Sequence, residues 1–283
     1  MPIDPEEFRA ESRDRWESAA AGWAKVRPAF QRDAERVSRR MVELIEPGPG
    51  DVVLELAAGP GDTGFLALAD LEPGGKLITT DGAEAMVEAA RARAEELGVT
   101  ELVEARAMEA EWIDMETATV DKVLCRWGYM LLADPEAALR ETRRILKPGG
   151  RLALACWDTP ETNPWSTGKL LVSLGFVEPS DPDEPGPFRL ADPEAIRELL
   201  HAAGFVDDIT LEAVDFTFHA ESADAWWEQQ LDCSLSLRAF AKGLSPAEHT
   251  RLRDAVDDAL SAYARPDGSL ALPARTLVAA ATA

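Results

Sequence analysis

The stretch Val52-Val53-Leu54-Glu55-Leu56-Ala57-Ala58-Gly59-Pro60-Gly61-Asp62-Thr63-Gly64 decides how the rest of the chain is read. Its opening apolar run is that of a buried parallel strand. The run breaks into a glycine-rich turn, and the spacing beyond it predicts a helix from about Asp62 through Phe65, Leu66 and Leu68. Strand, tight turn and helix start together make a cradle. Glycines let a ligand approach the backbone, and a helix start offers free N–H groups. Gly59, Gly61 and Gly64 match G-x-G-x-x-G, the dinucleotide fingerprint, though a plain strand–helix turn also satisfies that loose pattern. Glu55 alters the reading. It lies four positions before Gly59, near the strand's C-terminal end, so its carboxylate reaches the cradle. A carboxylate there repels a pyrophosphate and suits a ligand that carries an ammonium and a sulfonium.

The chain has 283 residues, enough for one large domain with a full core, or for a domain with a sizeable lid. Its 52 acidic and 29 basic side chains give a formal charge of −23. Phosphates would be repelled, and no basic stripe occurs, so a nucleic-acid partner is not expected. Cys125, Cys156 and Cys233 form neither a disulfide framework nor a metal-ligand spacing, which points to a reducing, cytoplasmic setting and to no metal. The N-terminus has no signal-peptide pattern, and no run approaches the length of a membrane span. Oligomeric state is not readable here.

Along the chain, residues 1–47 read as an N-terminal arm of helices. Phe30, Val37, Met41, Leu44 and Ile45 keep helical spacing, and Pro47-Gly48 stops the run. Trp16 and Trp23, two turns apart, share one face and either cap the core or fold over the cradle. Strands and helices then alternate, as in a doubly wound α/β sheet. The second strand, Lys76 to Thr80, ends at Asp81, about 20 residues after the glycine turn, where a ribose-binding carboxylate belongs; a helix cap is the plainer role. Met86, in the helix that follows, faces inward. A third strand is expected near Leu102 to Ala105 and a fourth from Val120 to Cys125, running into Arg126-Trp127-Gly128-Tyr129-Met130 at the ligand-binding edge. Asp134-Pro135 starts a helix that Lys147-Pro148-Gly149-Gly150 ends, ahead of a strand from Arg151 to Cys156. Residues 159–190 are rich in Pro, Asp and Glu, with a short amphipathic piece around Trp165 to Leu174. A helix from Pro193 to Ala203, a strand near Ile209 to Phe218, helices over about Ala223–Leu235 and Pro246–Tyr263, and a last strand from Arg275 to Thr282 complete the chain.

These motifs resemble those of the class I S-adenosylmethionine (SAM)-dependent methyltransferases. Glu55-Leu56-Ala57-Ala58-Gly59-Pro60-Gly61 is similar to their first motif, with Ala57 where glycine is usual. Met108-Glu109-Ala110 resembles their Asp-Ala-Glu motif, with Glu for Asp, and Leu146-Lys147-Pro148-Gly149-Gly150 resembles a second signature of the family. The resemblance covers roughly residues 35–283 and is strongest over 50–157. It implies a seven-stranded Rossmann-like sheet with a final antiparallel strand, an N-terminal helical arm and an inserted lid. The expected divisions are the arm (1–47), the SAM-binding core (48–158), the lid and connecting helix (159–205), and the rest of the sheet with two helices (206–283). SAM is the implied cofactor and S-adenosylhomocysteine (SAH) its product. Glu109 and Ala110 would meet the adenine. The cofactor set implied is Glu55, Ala57, Gly59, Gly61, Asp81, Gly82, Met86, Glu109, Ala110, Cys125 and Arg126. The spacing looks most like the branch of ubiquinone/menaquinone C-methyltransferases and small-molecule methyltransferases. Quinone C-methylases read Phe-Gly-Leu-Arg-Asn after the fourth strand, and here Met130 stands in place of that arginine.

Methyl transfer from a sulfonium is an in-line displacement that rests on alignment and on excluding water, and only some acceptors need a base. His201, His219 and His249 read as structural or surface residues, so no catalytic residue is assigned. Trp23, Trp127, Tyr129, Trp157 and Trp165 are candidates for an aromatic pocket around a small-molecule acceptor, with core packing as their other reading. Two other functions stay open on the residues: an NAD(P)-dependent oxidoreductase, which Glu55 opposes, and a SAM-binding protein without catalysis.

Overall fold

The computed structural model describes residues 4–283, so the first three residues of the expected arm lie outside the described residues. Seven strands form one sheet: β1 (Val52–Glu55), β2 (Lys76–Asp81), β3 (Val103–Ala107), β4 (Val120–Arg126), β5 (Leu146–Trp157), β6 (Asp207–Ala220) and β7 (Leu270–Thr282). Their order is β3-β2-β1-β4-β5-β7-β6. The first five are parallel, and β7 runs antiparallel to both neighbours. The chain winds outward from β1 through β3, then returns to place β4 on the other side of β1. That reversal opens a crevice at the carboxyl ends of β1 and β4. Val53, Leu54, Val123, Leu124 and Leu152 have no exposed surface, as the unbroken apolar runs require.

The helix expected after the glycine turn is much shorter than its spacing predicts. A 3-10 turn over Gly64–Ala67 runs into a single turn of helix, α2 (Leu68–Leu71). Pro73 stops it, because the residue before a proline is pushed out of helical geometry, and Glu72 is extended (φ −80°, ψ 143°). Helices α3 (Glu84–Leu97) and α4 (Pro135–Ile145) follow β2 and β4. No helix separates β3 from β4; residues 108–119 form a loop over the carboxyl edge.

The arm is one helix, α1 (Pro5–Ile45), with Pro28 inside it. Proline removes one hydrogen bond, and packing on both flanks carries the helix through. On one side Ala34, Val37, Met41 and Ile45 are fully buried in the main core. On the other, α1 crosses α7 (Ala223–Cys233) so closely that a Cβ on Gly22 would lie 2.0 Å from the Asp232 carbonyl oxygen. Lys25 and Arg238 both ion-pair with Asp232 there. Between these points α1 lies along the outer edge of β6. Asp33 accepts from the His219 backbone N–H at 2.7 Å, and Arg36 donates to the Asp215 carbonyl at 3.1 Å. The unpaired edge of the sheet is thereby covered.

The remaining helices are α5 (Gly168–Ser173), α6 (Pro193–Ala202), α8 (Leu235–Gly243) and α9 (Pro246–Ser261). The helix expected over about Ala223–Leu235 ends at Cys233 as α7, and α8 follows it where no helix was expected. Ser234 ends the first and caps the second, accepting from the Leu237 N–H at 3.2 Å. Strand β7 starts at Leu270, five residues before its expected start, and β6 also extends further at both ends. A second core, with Trp226, Trp227, Leu252 and Leu272, lies between α5, α7, α8 and α9 and the β6–β7 ladder, while α6 packs in the main core. Among the described residues no helix is long and apolar enough to cross a membrane, and no cluster of metal-ligating side chains occurs.

Candidate active site

Glu55 ends β1 at the crevice and is 2 % exposed. Its Oε2 accepts from the Thr79 hydroxyl at 3.2 Å. Burial pushes its carboxyl up to about 7, with Asp62 adding to the shift and the Gly64 N–H, Arg126 and Thr79 opposing it. Gly64 is glycine for want of space: a Cβ there would sit 2.7 Å from Glu55 Oε2 and from Leu77 Cδ1. Ala57 is in left-handed geometry (φ 50°), which explains why glycine suits that position.

Asp81, at the end of β2, closes the cradle from the other side. Its Oδ2 accepts from the Gly59 N–H at 2.9 Å and its Oδ1 from the Ala83 N–H at 3.0 Å. Burial raises its pKa, and the nearby Glu109 carboxylate raises it further. Asp81 therefore holds the glycine loop against the start of α3, a wider structural role than either the ribose contact or the cap expected. Glu109 lies beside Gly82, where an added Cβ would come within 3.1 Å of its Oε2. Arg13 of α1 pairs with Glu109 at 2.9 Å, and Arg9 pairs with Glu111 at 2.9 Å. Ala110 is buried in the same loop. Met86 and Ala83 pack with Ala20, Trp16 and Trp23 of α1.

Cys125 and Arg126 end β4. Burial raises the Cys125 thiol to about 12, so it stays neutral. Arg126 is also enclosed, and burial lowers its pKa against the pull of Asp62 and Glu55. It donates to Ser38 Oγ at 2.7 Å and to Gln31 Oε1 at 3.3 Å, and lies 3.6 Å from Asp62 Oδ2. Arg27 reaches the other Asp62 oxygen at 3.3 Å, and Ser38 pairs with Thr63 at 3.1 Å. The Arg126 guanidinium also lies over the Trp127 ring, 4.8 Å from its centroid.

Trp127 begins a stack of rings. It is held in left-handed geometry (φ 60°), and its indole donates to Thr276 Oγ1 at 2.9 Å. Its ring stacks on Trp157 at 4.2 Å between centroids, and Trp157 meets Trp165 at 4.6 Å. Phe216 and Phe218 of β6 and Phe30 of α1 close the group. Trp23 joins only through Phe30, at 5.2 Å, and otherwise sits on the Ala83–Met86 side. Tyr129 does not belong. It is fully buried, with its hydroxyl on Thr142 Oγ1 at 2.7 Å, because the turn after β4 directs it toward α4 rather than the crevice.

Residues 54–154 match the family described as a methyltransferase domain. The chain is 30% identical over 200 residues to a nocamycin O-methyltransferase from Saccharothrix syringae, covering 67% of this chain and 71% of that one. The chain belongs to the class I SAM-dependent methyltransferases.

It is also 37% identical over 113 residues to a ubiquinone/menaquinone biosynthesis C-methyltransferase from Acidiphilium cryptum, a match covering 40% of this chain and 45% of that one. Some curated relatives are thus matched over a third to a half of their own length. The YcgJ protein from Bacillus subtilis shares the fold, with a TM-score of 0.57 at 19% identity over 87% of this chain and 97% of that one. Membership sets aside the NAD(P)-dependent alternative. The chain also contains functional candidates that the sequence did not point to. Asp62, Arg27, Ser38 and Thr63 tie α1 to the glycine loop. Asn163 is fully buried just after β5; its amide donates to the Asp158, Thr159 and Arg275 carbonyls, and its Oδ1 accepts from Trp165 Nε1 and the Arg275 N–H. Arg9, Arg13 and Glu17 recur at four-residue spacing on α1, but a solvated helix face gives the same pattern.

Proposed function

We propose that this methyltransferase binds SAM along the carboxyl edge of β2, β1 and β4 and passes its methyl group to a small apolar or aromatic acceptor. The observation that carries this is the enclosed Glu55 carboxyl, which burial pushes up to about 7 although the Gly64 N–H and Arg126 oppose the shift. An ammonium placed against it restores the charged form. The other residues fit the same ligand. Asp81 keeps one lone pair per oxygen beyond its backbone contacts, enough for two ribose hydroxyls. Arg126 offers a guanidinium to a carboxylate. Glu109 and Ala110 stand at the adenine end, with Gly82 and Met86 beside them. Ala57, Gly59, Gly61 and Cys125 line the floor, where Gly59 (φ 57°) and Gly61 (φ 75°) hold turns open to a side chain only at a cost.

SAM supplies a methyl group already activated by its sulfonium. The chain's task is then to align the acceptor and to exclude water. Trp127, Trp157 and Trp165 present apolar faces next to the Arg126 end of the cradle, and ring faces suit a passing cation. No side chain is assigned as a base. Residues 159–190 and the N-terminal half of α1 form the cover over the acceptor. Residues 178–184 are exposed, while Gly186 N–H donates to the Met130 carbonyl and Arg189 to that of Leu132, so the segment is tied at its end. The three free cysteines fit a cytoplasmic setting. Calorimetry should show SAH binding and no NAD(H) or NADP(H) binding, and labelled SAM should transfer its methyl group to a member of a panel of small phenols and enols. Nicotinamide binding without SAH binding refutes the cofactor; SAH binding with no transfer to any acceptor leaves a SAM-binding protein without catalysis.

A further inference from the structure

Trp23 holds a buried polar group that the fold leaves without a partner. The atom Nε1 is enclosed, and among the described residues nothing accepts its N–H. Other tryptophans in this region are satisfied, Trp127 by Thr276 and Trp165 by Asn163. A buried indole N–H normally finds an acceptor, and leaving one unmade is unfavourable. Its surroundings say where the missing acceptor comes from. On one side the Trp23 ring packs with Ala20, Ala83 and Met86, next to the Asp81-Gly82 turn. One helical turn on, Arg27 reaches Asp62 in the glycine loop. Two turns on, Phe30 meets the Trp127 ring. The Trp23 face of α1 thus passes over the cradle between the Asp81 end and the Arg126 end.

We infer that Trp23 is a cofactor-binding donor, its indole N–H directed at an oxygen of the bound nucleoside–amino acid cofactor, either in the ribose or in the carboxylate. This rests on the SAM reading above and moves Trp23 from the acceptor pocket to the cofactor. The N–H then serves as a sensor of occupancy on α1, since only the loaded site satisfies it.

The test is calorimetry of SAH and of 5′-methylthioadenosine, which keeps the ribose and lacks the carboxylate, on the wild type and on Trp23→Phe. SAH should bind Trp23→Phe about 3- to 10-fold more weakly, since the donor is lost. An equal loss for methylthioadenosine assigns the ribose; a loss for SAH alone assigns the carboxylate. In the wild type, the indole N–H resonance that Trp23→Phe deletes should move downfield on SAH addition. As a variant that preserves ring shape, β-(3-benzothienyl)alanine at position 23 replaces the N–H by sulfur and should reproduce the affinity loss. Unchanged SAH affinity in both variants overturns the inference while leaving the cofactor reading intact; a wild type that does not bind SAH overturns that reading instead.

Discussion

The two sides of the crevice are built from different materials. On the side proposed to hold the cofactor, β1, β2 and β4 end in buried ionisable groups: Glu55, Asp81 and Arg126, with Asp62 in the loop between. Each is fixed by directional bonds to backbone N–H groups, to hydroxyls or to an opposite charge. On the side proposed for the acceptor, rings from the turn after β4, from β5, β6 and α1 and from Trp165 pack on one another, and one buried amide, Asn163, fixes their base. Directional groups define where a ligand atom sits, whereas stacked rings contribute area that is indifferent to polarity. Substitutions on the first side should therefore act mainly on affinity, and those on the second mainly on stability.

The largest expected effect tests the second half of that contrast. Trp157→Ala removes a ring that is 5 % exposed and meets Trp127, Trp165, Phe216 and Phe218. Urea unfolding should show a loss of about 3–5 kcal/mol, with SAH affinity of the folded protein changed less than about threefold. A large loss of affinity at modest cost in stability would erase the distinction. Asp81→Asn is the intermediate case. It turns an amide N–H toward the Gly59 or Ala83 N–H and loses a charge-assisted acceptor, so SAH affinity should fall about tenfold and stability by about 1–2 kcal/mol. A fall in stability alone would make Asp81 a loop clamp only. The smallest effect sharpens the comparison at the cradle floor. Ala57→Gly relieves left-handed strain (φ 50°) and should stabilise the protein by about 1 kcal/mol in the same urea assay, with SAH affinity held or slightly raised. A loss of stability would mean that the Ala57 methyl packs better than its backbone suffers.

The same contrast explains what was legible in the sequence. Acidic residues at strand ends and glycines at fixed offsets are local signals, so Glu55, Asp81 and the loop between them could be found by counting along the chain. The alternation of strands and helices pointed to a doubly wound sheet, and the seven strands with an antiparallel β7 were what the family resemblance implied. Helix α2 was misjudged because apolar spacing says nothing about a proline stop five residues on, and α8 because one serine serves two helices. Tyr129 was a pocket candidate through its ring and its place after the fourth strand, with core packing as the other reading; its direction is set by a 3-10 turn after β4 that no local pattern announces. The polar contacts of α1 to the glycine loop and to Glu109 span dozens of residues, and a helix face that meets a loop reads like one that meets water.

The most direct test of the account is the pH dependence of SAH binding through Glu55. Its folded-state value of about 7 lies above the ordinary 4.5, so burial favours the neutral form. In the ligand-free protein the stability linked to Glu55 is therefore fully present below about pH 4.5 and is lost as pH rises through about 7. Binding of an ammonium requires the charged form, so the sign for affinity is opposite. Calorimetry between pH 5.5 and 7.5, in buffers of different ionisation enthalpy, should show SAH affinity rising roughly tenfold across this range with release of a proton at the acid end. Glu55→Gln should bind weakly, without proton release or slope, and its ligand-free form should not lose stability between pH 5 and 7.5. Wild-type binding that is flat with pH, or Glu55→Gln binding that equals wild type, would contradict the assignment of Glu55 to the cofactor's cation.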